Sequence, residues 1–145
     1  MKLSKIIVSS IVAISILVLS TGCITIKTDN GEYQPVISSA QMASEIDETT
    51  YDVLEQTDVF KTDSPKIFVV AQLSGSAANK TIVKAKWVFI DKEYFIGEAE
   101  AVAGYREGPI QFSISKPDSG WPTGKYQVTL FADGKEMVVK FFEVE

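Results

Sequence analysis

The clearest structural signal in the sequence is the stretch Tyr126-Gln127-Val128-Thr129-Leu130-Phe131-Ala132-Asp133-Gly134. Tyrosine, valine, leucine and alanine alternate in it with glutamine, threonine and phenylalanine, and a period of two predicts a strand with one buried face. Asp133-Gly134 favours a two-residue turn, because the central residues of such a turn need a positive φ. Met137–Val144 follows as the returning strand. This C-terminal stretch therefore predicts a β-hairpin with one side in a hydrophobic core.

Further strands are predicted upstream, separated by short segments rich in glycine, proline, serine and aspartate. In Ile82–Ile90 the apolar side chains and two lysines fall on opposite faces, with Trp87 on the apolar face. The other predicted strands are Ile67–Leu73, Tyr94–Val102 and Ile110–Ser115. Short, evenly spaced strands without a long helix predict an all-β fold, an antiparallel β-sandwich of about seven strands.

The segment before these strands fits two structures. Met42, Ile46 and Val53 share one face of a helix. The run Thr49–Tyr51 would then lie inside that helix, where β-branched and aromatic side chains lower helix propensity. We therefore expect an extended edge strand around Ile37–Ile46, with the helix as the alternative.

Two aromatic residues are placed as in immunoglobulin-like and fibronectin-like sandwiches. Trp87 lies on a central strand and Tyr126 begins the penultimate strand, which is the order of the core tryptophan and corner tyrosine in those folds. The two cysteines of true immunoglobulin domains are absent, so the resemblance is to the wider group. Phe112–Tyr126 is also similar to a closing hairpin of uncharacterised bacterial and archaeal surface lipoproteins. The resemblance covers roughly Phe60–Glu145 and implies a fold, without catalytic residues.

The N-terminus, Met1–Cys23, has the parts of a lipoprotein signal peptide. Two lysines make it basic, an apolar run continues to Leu19, and serine, threonine and glycine precede Cys23. A basic start, a short apolar run and small residues are typical of a secretory signal, and the run is too short for a membrane-spanning helix. The ending resembles the lipobox of prokaryotic lipoproteins, whose cysteine receives a diacylglyceryl group and becomes the new N-terminus. Ser20 departs from it, because that family most often has leucine there.

Cys23 is the only cysteine of the chain, so an internal disulfide cannot form, and lipidation would remove a thiol exposed outside the cell. The alternative is a buried free cysteine behind an uncleaved anchor. We expect a signal peptide at 1–22, an acidic tether at 23–37 and a sandwich domain at 38–145. The protein would then sit on the extracytoplasmic face of the cell membrane, or on the outer membrane of a two-membrane cell, because Ile24 is not acidic. The covalent lipid is the only cofactor that we expect.

Charge and composition exclude several functions. The chain has 14 basic and 19 acidic residues, and without the two leader lysines the balance is 12 against 19, a net charge of −7. Phosphate binding needs a basic surface, so we expect no nucleic-acid partner. Ile24–Asp63 holds nine acidic and two basic residues, which indicates a solvated tether, with an acidic docking site as the alternative.

Catalytic chemistry is poorly supported. Histidine is absent, which excludes Ser-His-Asp and Cys-His catalysis and histidine-based zinc sites. Glu98 and Glu100 share one face of a strand, but acid–base work needs two carboxyls in different environments. We expect a solvated sheet face there, no metal site and no enzymatic activity.

Aromatic residues in or beside turns are the better functional lead. Trp121, Tyr105 and Tyr94 could stack on a sugar or anchor a protein partner. For Trp121 the favoured alternative is that its ring folds back and caps the end of the sandwich. The sequence thus predicts a non-enzymatic module that binds the membrane through its lipid and binds an envelope protein or polysaccharide, or else a small carbohydrate-binding module. Asn79 begins a glycosylation sequon.

Overall fold

The computed structural model of the chain describes residues 37–74, 81–103 and 108–145, and their regular structure is almost entirely β-strand. A 3₁₀ turn lies at Ile90–Lys92, and these residues contain no helix with the length and apolar character needed to cross a membrane. The strands are β1 (Ile37–Ile46), β2 (Val53–Gln56), β3 (Val59–Phe60), β4 (Lys66–Leu73), β5 (Ile82–Phe89), β6 (Tyr94–Val102), β7 (Gly108–Ser115), β8 (Gly124–Ala132) and β9 (Lys135–Val144).

The strands form two sheets with a common hydrophobic core. The four-stranded sheet has the order β2-β1-β4-β7, and the five-stranded sheet has the order β3-β9-β8-β5-β6. Neighbours are antiparallel except for β3, which runs parallel to the end of β9. The predicted β-sandwich is therefore confirmed. It has two more strands than predicted, β2 and β3, which are four and two residues long.

Aromatic rings fill the centre of the core. Trp87 is 1% exposed and meets Phe142 edge-on, with 5.9 Å between ring centres. Phe142 stacks on Tyr126 at 5.1 Å, and Phe60 meets Phe142 edge-on at 5.6 Å. Large buried aromatic surfaces make the greatest contribution per residue to a core of this size. The predicted inward face of β5 is confirmed, because its buried residues are Val83, Ala85, Trp87 and Phe89.

The C-terminal hairpin is built as the sequence predicts. Asp133 and Gly134 have φ angles of 48° and 80°, the left-handed conformation that a two-residue turn requires. The Asp133 carboxylate also accepts a hydrogen bond of 2.9 Å from the backbone N–H of Ile82. This bond ties the turn to the start of β5 and fixes the register of three strands at that end of the sheet.

The first described segment is a strand, which excludes the helical alternative. β1 is not an edge strand along its whole length: it pairs with β4 over Ile37–Ala43 and with β2 over Ala43–Ile46. A turn after β1 reverses the chain, so Val53 lies on β2 and not on a continued helix.

The interpretation of Ile24–Asp63 as a tether is wrong from Ile37 onward, because β1, β2 and β3 belong to the sandwich. The acidic side chains Glu45 and Glu55 are exposed on these strands, while Met42 and Phe60 are buried. The charge therefore reflects the solvated side of a folded segment.

Candidate functional site

Trp121 is part of the fold and does not present its ring to solvent. It is 4% exposed, and its indole N–H donates a hydrogen bond of 2.7 Å to the Ser64 carbonyl. Its backbone N–H donates to the Thr62 carbonyl at 2.9 Å. The ring meets Tyr126 edge-on at 6.5 Å. The expectation that Trp121 binds a partner is wrong, because its ring is buried and its indole N–H is already bonded. The alternative, that the ring folds back onto the sandwich, is confirmed.

Tyr126 forms the tyrosine corner that the resemblance implies. Its hydroxyl donates a hydrogen bond of 2.6 Å to the carbonyl of Pro122, four residues upstream. The ring stacks on Phe89 at 4.5 Å on one side. Burial, and then the negative charge of Asp91, raise the pKa of the Tyr126 phenol above its usual value of 10.0. Tyr126 is consequently held by internal contacts, and its ring is not available to a partner.

Three predicted site residues, Cys23, Asn79 and Tyr105, lie outside the described residues. Lipidation of Cys23, glycosylation of Asn79 and binding through Tyr105 therefore stay predictions. Tyr94 is described, and 64% of its surface is exposed. The structure thus leaves Tyr94 as the described candidate that is accessible to a partner.

Tyr94 belongs to a larger exposed apolar surface on β6. Phe95 is 50% exposed and Val102 is 66% exposed. β6 ends the five-stranded sheet, and its inward-facing Ala99 is exposed as well. We call β6 with the exposed side chains of Tyr94, Phe95, Ala99 and Val102 the β6 edge. Phe95 and Val102 do not stand out in the sequence, because alternation alone does not tell which strand ends a sheet.

A bulge directs Phe95 away from the core. The pairing of β5 with β6 shifts between Trp87 and Val88, so that Phe95 stands opposite Val88 on the outer face. The same row of that face continues through Gln127 on β8 to Phe141 on β9, which is 61% exposed. The outer face of the five-stranded sheet therefore carries exposed phenylalanines on two of its strands.

Acidic residues occupy the middle of the β6 edge. Lys84 on β5 forms ion pairs with Glu100 at 2.8 Å and with Glu98 at 3.4 Å. The hydrogen bond to Glu100, followed by that to Glu98, raises the pKa of Lys84 despite partial burial. Both glutamates are about half exposed, at 47% and 50%. They lie on the solvated sheet face that the sequence predicts, in similar surroundings.

Metal-ligating side chains are not clustered in the described parts of the chain: no group of three or more carboxylates, cysteines or histidines is close enough to hold an ion. Glu98 and Glu100 both form ion pairs with Lys84, Lys86 stands opposite Glu98 on β5, and the two carboxylates face open solvent. The β6 edge combines apolar surface, paired charge and the backbone of a terminal strand.

No family model and no curated protein sequence matches the chain. Among solved structures, the fold is similar to the crystal structure of an immunoglobulin-like protein from Pseudomonas aeruginosa, with 13% identity and a TM-score of 0.53 over 76% of this chain and 94% of that one. This likeness confirms the immunoglobulin-like sandwich and concerns the fold alone. A DNA-bound alkylpurine DNA glycosylase from Pseudomonas fluorescens aligns with 73% of this chain and 30% of its own, at 12% identity; its TM-score of 0.41 carries no argument.

Proposed function

We propose that this protein is a lipid-anchored, extracytoplasmic β-sandwich that acts without catalysis, by binding a protein of the cell envelope through the β6 edge. The observation that carries the proposal is the exposure of Tyr94, Phe95 and Val102 on the strand that ends the five-stranded sheet. Long, apolar terminal strands are templates for pairing with another chain, and soluble proteins usually cover or shorten them. An immunoglobulin-like fold suits a binding module of this kind.

The binding mode that fits this edge is addition of an extended strand from the partner. β6 is nine residues long and has a paired neighbour, β5, on one side within the described sheet. A strand added on the other side would gain main-chain hydrogen bonds along the edge, and its side chains would alternate between the two faces. Affinity would come from the backbone, and selectivity from the side chains opposite the β6 residues.

The outward-facing side chains of β6 define the chemistry of that partner strand. Phe95 lies at one end, Glu98 and Glu100 in the middle and Val102 at the other end. Lys84 and Lys86 carry the compensating positive charges on β5, so Glu98 and Glu100 are the charged groups that lie next to an added strand. A matching strand has apolar side chains at both ends and two basic side chains between them, because opposite charges across strands stabilise pairing.

The membrane anchor is the lipid on Cys23, supported by the lipobox-like end of the leader. A net charge of −7 after removal of the leader gives no attraction to anionic headgroups, so the acyl chains would supply the membrane affinity. Absence of histidine and the similar surroundings of Glu98 and Glu100 support a role without bond cleavage. Trp121 is buried, so the carbohydrate-binding alternative based on turn aromatics lacks its principal ring.

The proposal is tested with the peptide Val-Thr-Lys-Thr-Lys-Thr-Phe, labelled and titrated with the full-length chain in detergent. A control peptide carries glutamate at both lysine positions. We expect binding of the lysine peptide, weaker binding of the glutamate peptide, and loss of binding in Phe95→Ser. Leu54→Ser is the matched control, since Leu54 is a 60% exposed apolar residue on β2 of the other sheet. Equal binding of both peptides, or equal losses in both variants, would contradict strand addition at β6.

A further inference from the structure

The inward face of β6 has a gap at its centre. Gly97 follows the bulge in this strand, and its cross-strand neighbour on β5 is Trp87. Apart from its two chain neighbours, no atom of the described residues lies within 4 Å of the position that a Cβ on Gly97 would take. Ala99, two residues further along, faces the same way and is exposed. The middle of β6 is therefore open on the side that faces the sandwich.

The β5 side of this gap shows what fits beside Gly97. A glycine inside a strand has no side chain to pack, and a large ring on the neighbouring strand compensates by covering its backbone. Trp87 holds that position on β5 and is 1% exposed. Gly97 nevertheless stays partly exposed. Its free side is consequently available to a side chain from a strand added to β6.

The surroundings of the gap are apolar. Ile96 and Ala101 are partly buried and pack against the main hydrophobic core, and Ala99 lies between Gly97 and Ala101 on the same face. None of these side chains has a polar atom, and a polar group placed among them would lose water without gaining a hydrogen bond to a side chain. The inward residue of an added strand at this point is therefore apolar.

Charge decides which kind of chain can be added. If two copies of this protein paired their β6 strands antiparallel about Ala99, Glu98 of one copy would stand opposite Glu100 of the other, and like charges in that position destabilise a sheet. β5 shows the opposite case: Lys84 pairs with Glu100 at 2.8 Å, and Lys86 stands opposite Glu98. The two glutamates thus favour a different protein with basic residues over a second copy.

We propose that the envelope protein bound at the β6 edge places an aromatic side chain over Gly97, and that this contact selects the partner. The inference rests on strand addition at β6, and it adds one position to the partner strand. In the antiparallel direction, which β5 also has, two basic residues face Glu100 and Glu98 and the next residue, the aromatic one, faces Gly97. An aromatic ring buries the largest apolar area there and is flat enough to lie on a glycine backbone.

The test compares three labelled peptides by fluorescence anisotropy with the full-length chain in detergent. The tryptophan peptide, Val-Thr-Lys-Thr-Lys-Trp-Phe, differs from the lysine peptide, Val-Thr-Lys-Thr-Lys-Thr-Phe, at the residue that faces Gly97. The shifted peptide, Val-Thr-Lys-Trp-Lys-Thr-Phe, has the composition of the tryptophan peptide with its ring facing Ala99. We expect the tryptophan peptide to bind about tenfold more tightly than the other two.

Gly97→Val closes the gap without disturbing the strand. The backbone at Gly97 is not left-handed, an added Cβ meets open space, and valine favours strands, so the melting temperature should equal or exceed that of the parent. In this variant the tenfold preference for the tryptophan peptide should fall to about one, while the lysine peptide binds as it does to the parent. Ala99→Val is the matched control, since it adds bulk to the same face of the same strand and should keep the preference.

The possible failures are distinguishable. Equal binding of the three peptides by the parent, a preference that persists in Gly97→Val, or a preference lost in Ala99→Val overturns the aromatic contact and leaves strand addition standing. Absence of binding by every peptide overturns both. Self-association of the parent in sedimentation equilibrium, lost in Gly97→Val, would identify a second copy as the occupant and would also contradict the proposal.

Discussion

Removing the hydroxyl of Tyr126 should destabilise the fold by about 0.5–1.5 kcal/mol, because it removes a partly buried hydrogen bond. Tyr126 is 1% exposed and its hydroxyl lies 2.6 Å from the Pro122 oxygen, while the ring contacts of Tyr126→Phe are unchanged. In a domain of 60–100 residues each kcal/mol lowers the melting temperature by about 4–8 °C. Thermal and urea unfolding measure the loss. Tyr94→Phe is the control, since it removes a hydroxyl from a residue that is 64% exposed. If both substitutions lower the melting temperature by the same small amount, the hydrogen bond of Tyr126 does not contribute to stability as argued.

The same substitution has a pH signature with a definite sign. Burial raises the pKa of Tyr126 above 10.0 in the folded state, so the unfolded phenol ionises first as the pH rises. The unfolded state then binds fewer protons than the folded state, and stability falls with pH above about 10. Tyr126→Phe has no phenol to ionise at this position, so it lacks this fall in stability. The stability difference between the parent and Tyr126→Phe should therefore shrink between pH 10 and the raised pKa, and a constant difference across that window would contradict the burial.

Three further substitutions test the centre of the core, the hydrogen bond of Trp121 and the leader. Trp87→Ala should cost about 3–5 kcal/mol of unfolding free energy, because it empties the centre of the core, and an unchanged urea midpoint would contradict that position. Trp121→Phe should cost about 1–3 kcal/mol, because it leaves the Ser64 carbonyl without its donor and puts a smaller ring in a buried position, with no effect on binding of the lysine peptide. Cys23→Ser should leave unprocessed or released protein in membrane fractionation; a processed form that still sediments with membranes would rule out the lipobox.

The core could be predicted from the sequence because its signal is local. A period of two places Trp87, Tyr126 and their neighbours on inward faces without knowledge of the pairing, and Asp133-Gly134 specifies its own turn. β2 and β3 could not be predicted, since four and two residues are too few to show a period. Their strand geometry comes from pairing with β1 and β9.

The candidate sites depend on contacts distant in sequence, which the local pattern does not encode. Trp121 turns inward because the Ser64 carbonyl, 57 positions away, accepts its indole N–H. Phe95 is exposed because a bulge opposite β5 rotates it outward and because no described strand follows β6 in the sheet. Tyr51 lines a cavity with residues of β4 and β7 only after the β1–β2 loop folds over that face. Turn aromatics can therefore be listed from sequence, but their direction cannot.

Peptide binding at the β6 edge should be independent of the opposite face of the sandwich. Phe95 points outward from the five-stranded sheet, and Gln111 lies on the outer face of the four-stranded sheet. Packed sheets are ~10 Å apart, and substitutions separated by more than ~7–10 Å without shared partners usually have additive effects. Gln111→Met should therefore bind the lysine peptide as the parent does, and the variant carrying both Phe95→Ser and Gln111→Met should bind it as weakly as Phe95→Ser. A weaker binding of the peptide by Gln111→Met at an unchanged melting temperature would contradict this independence.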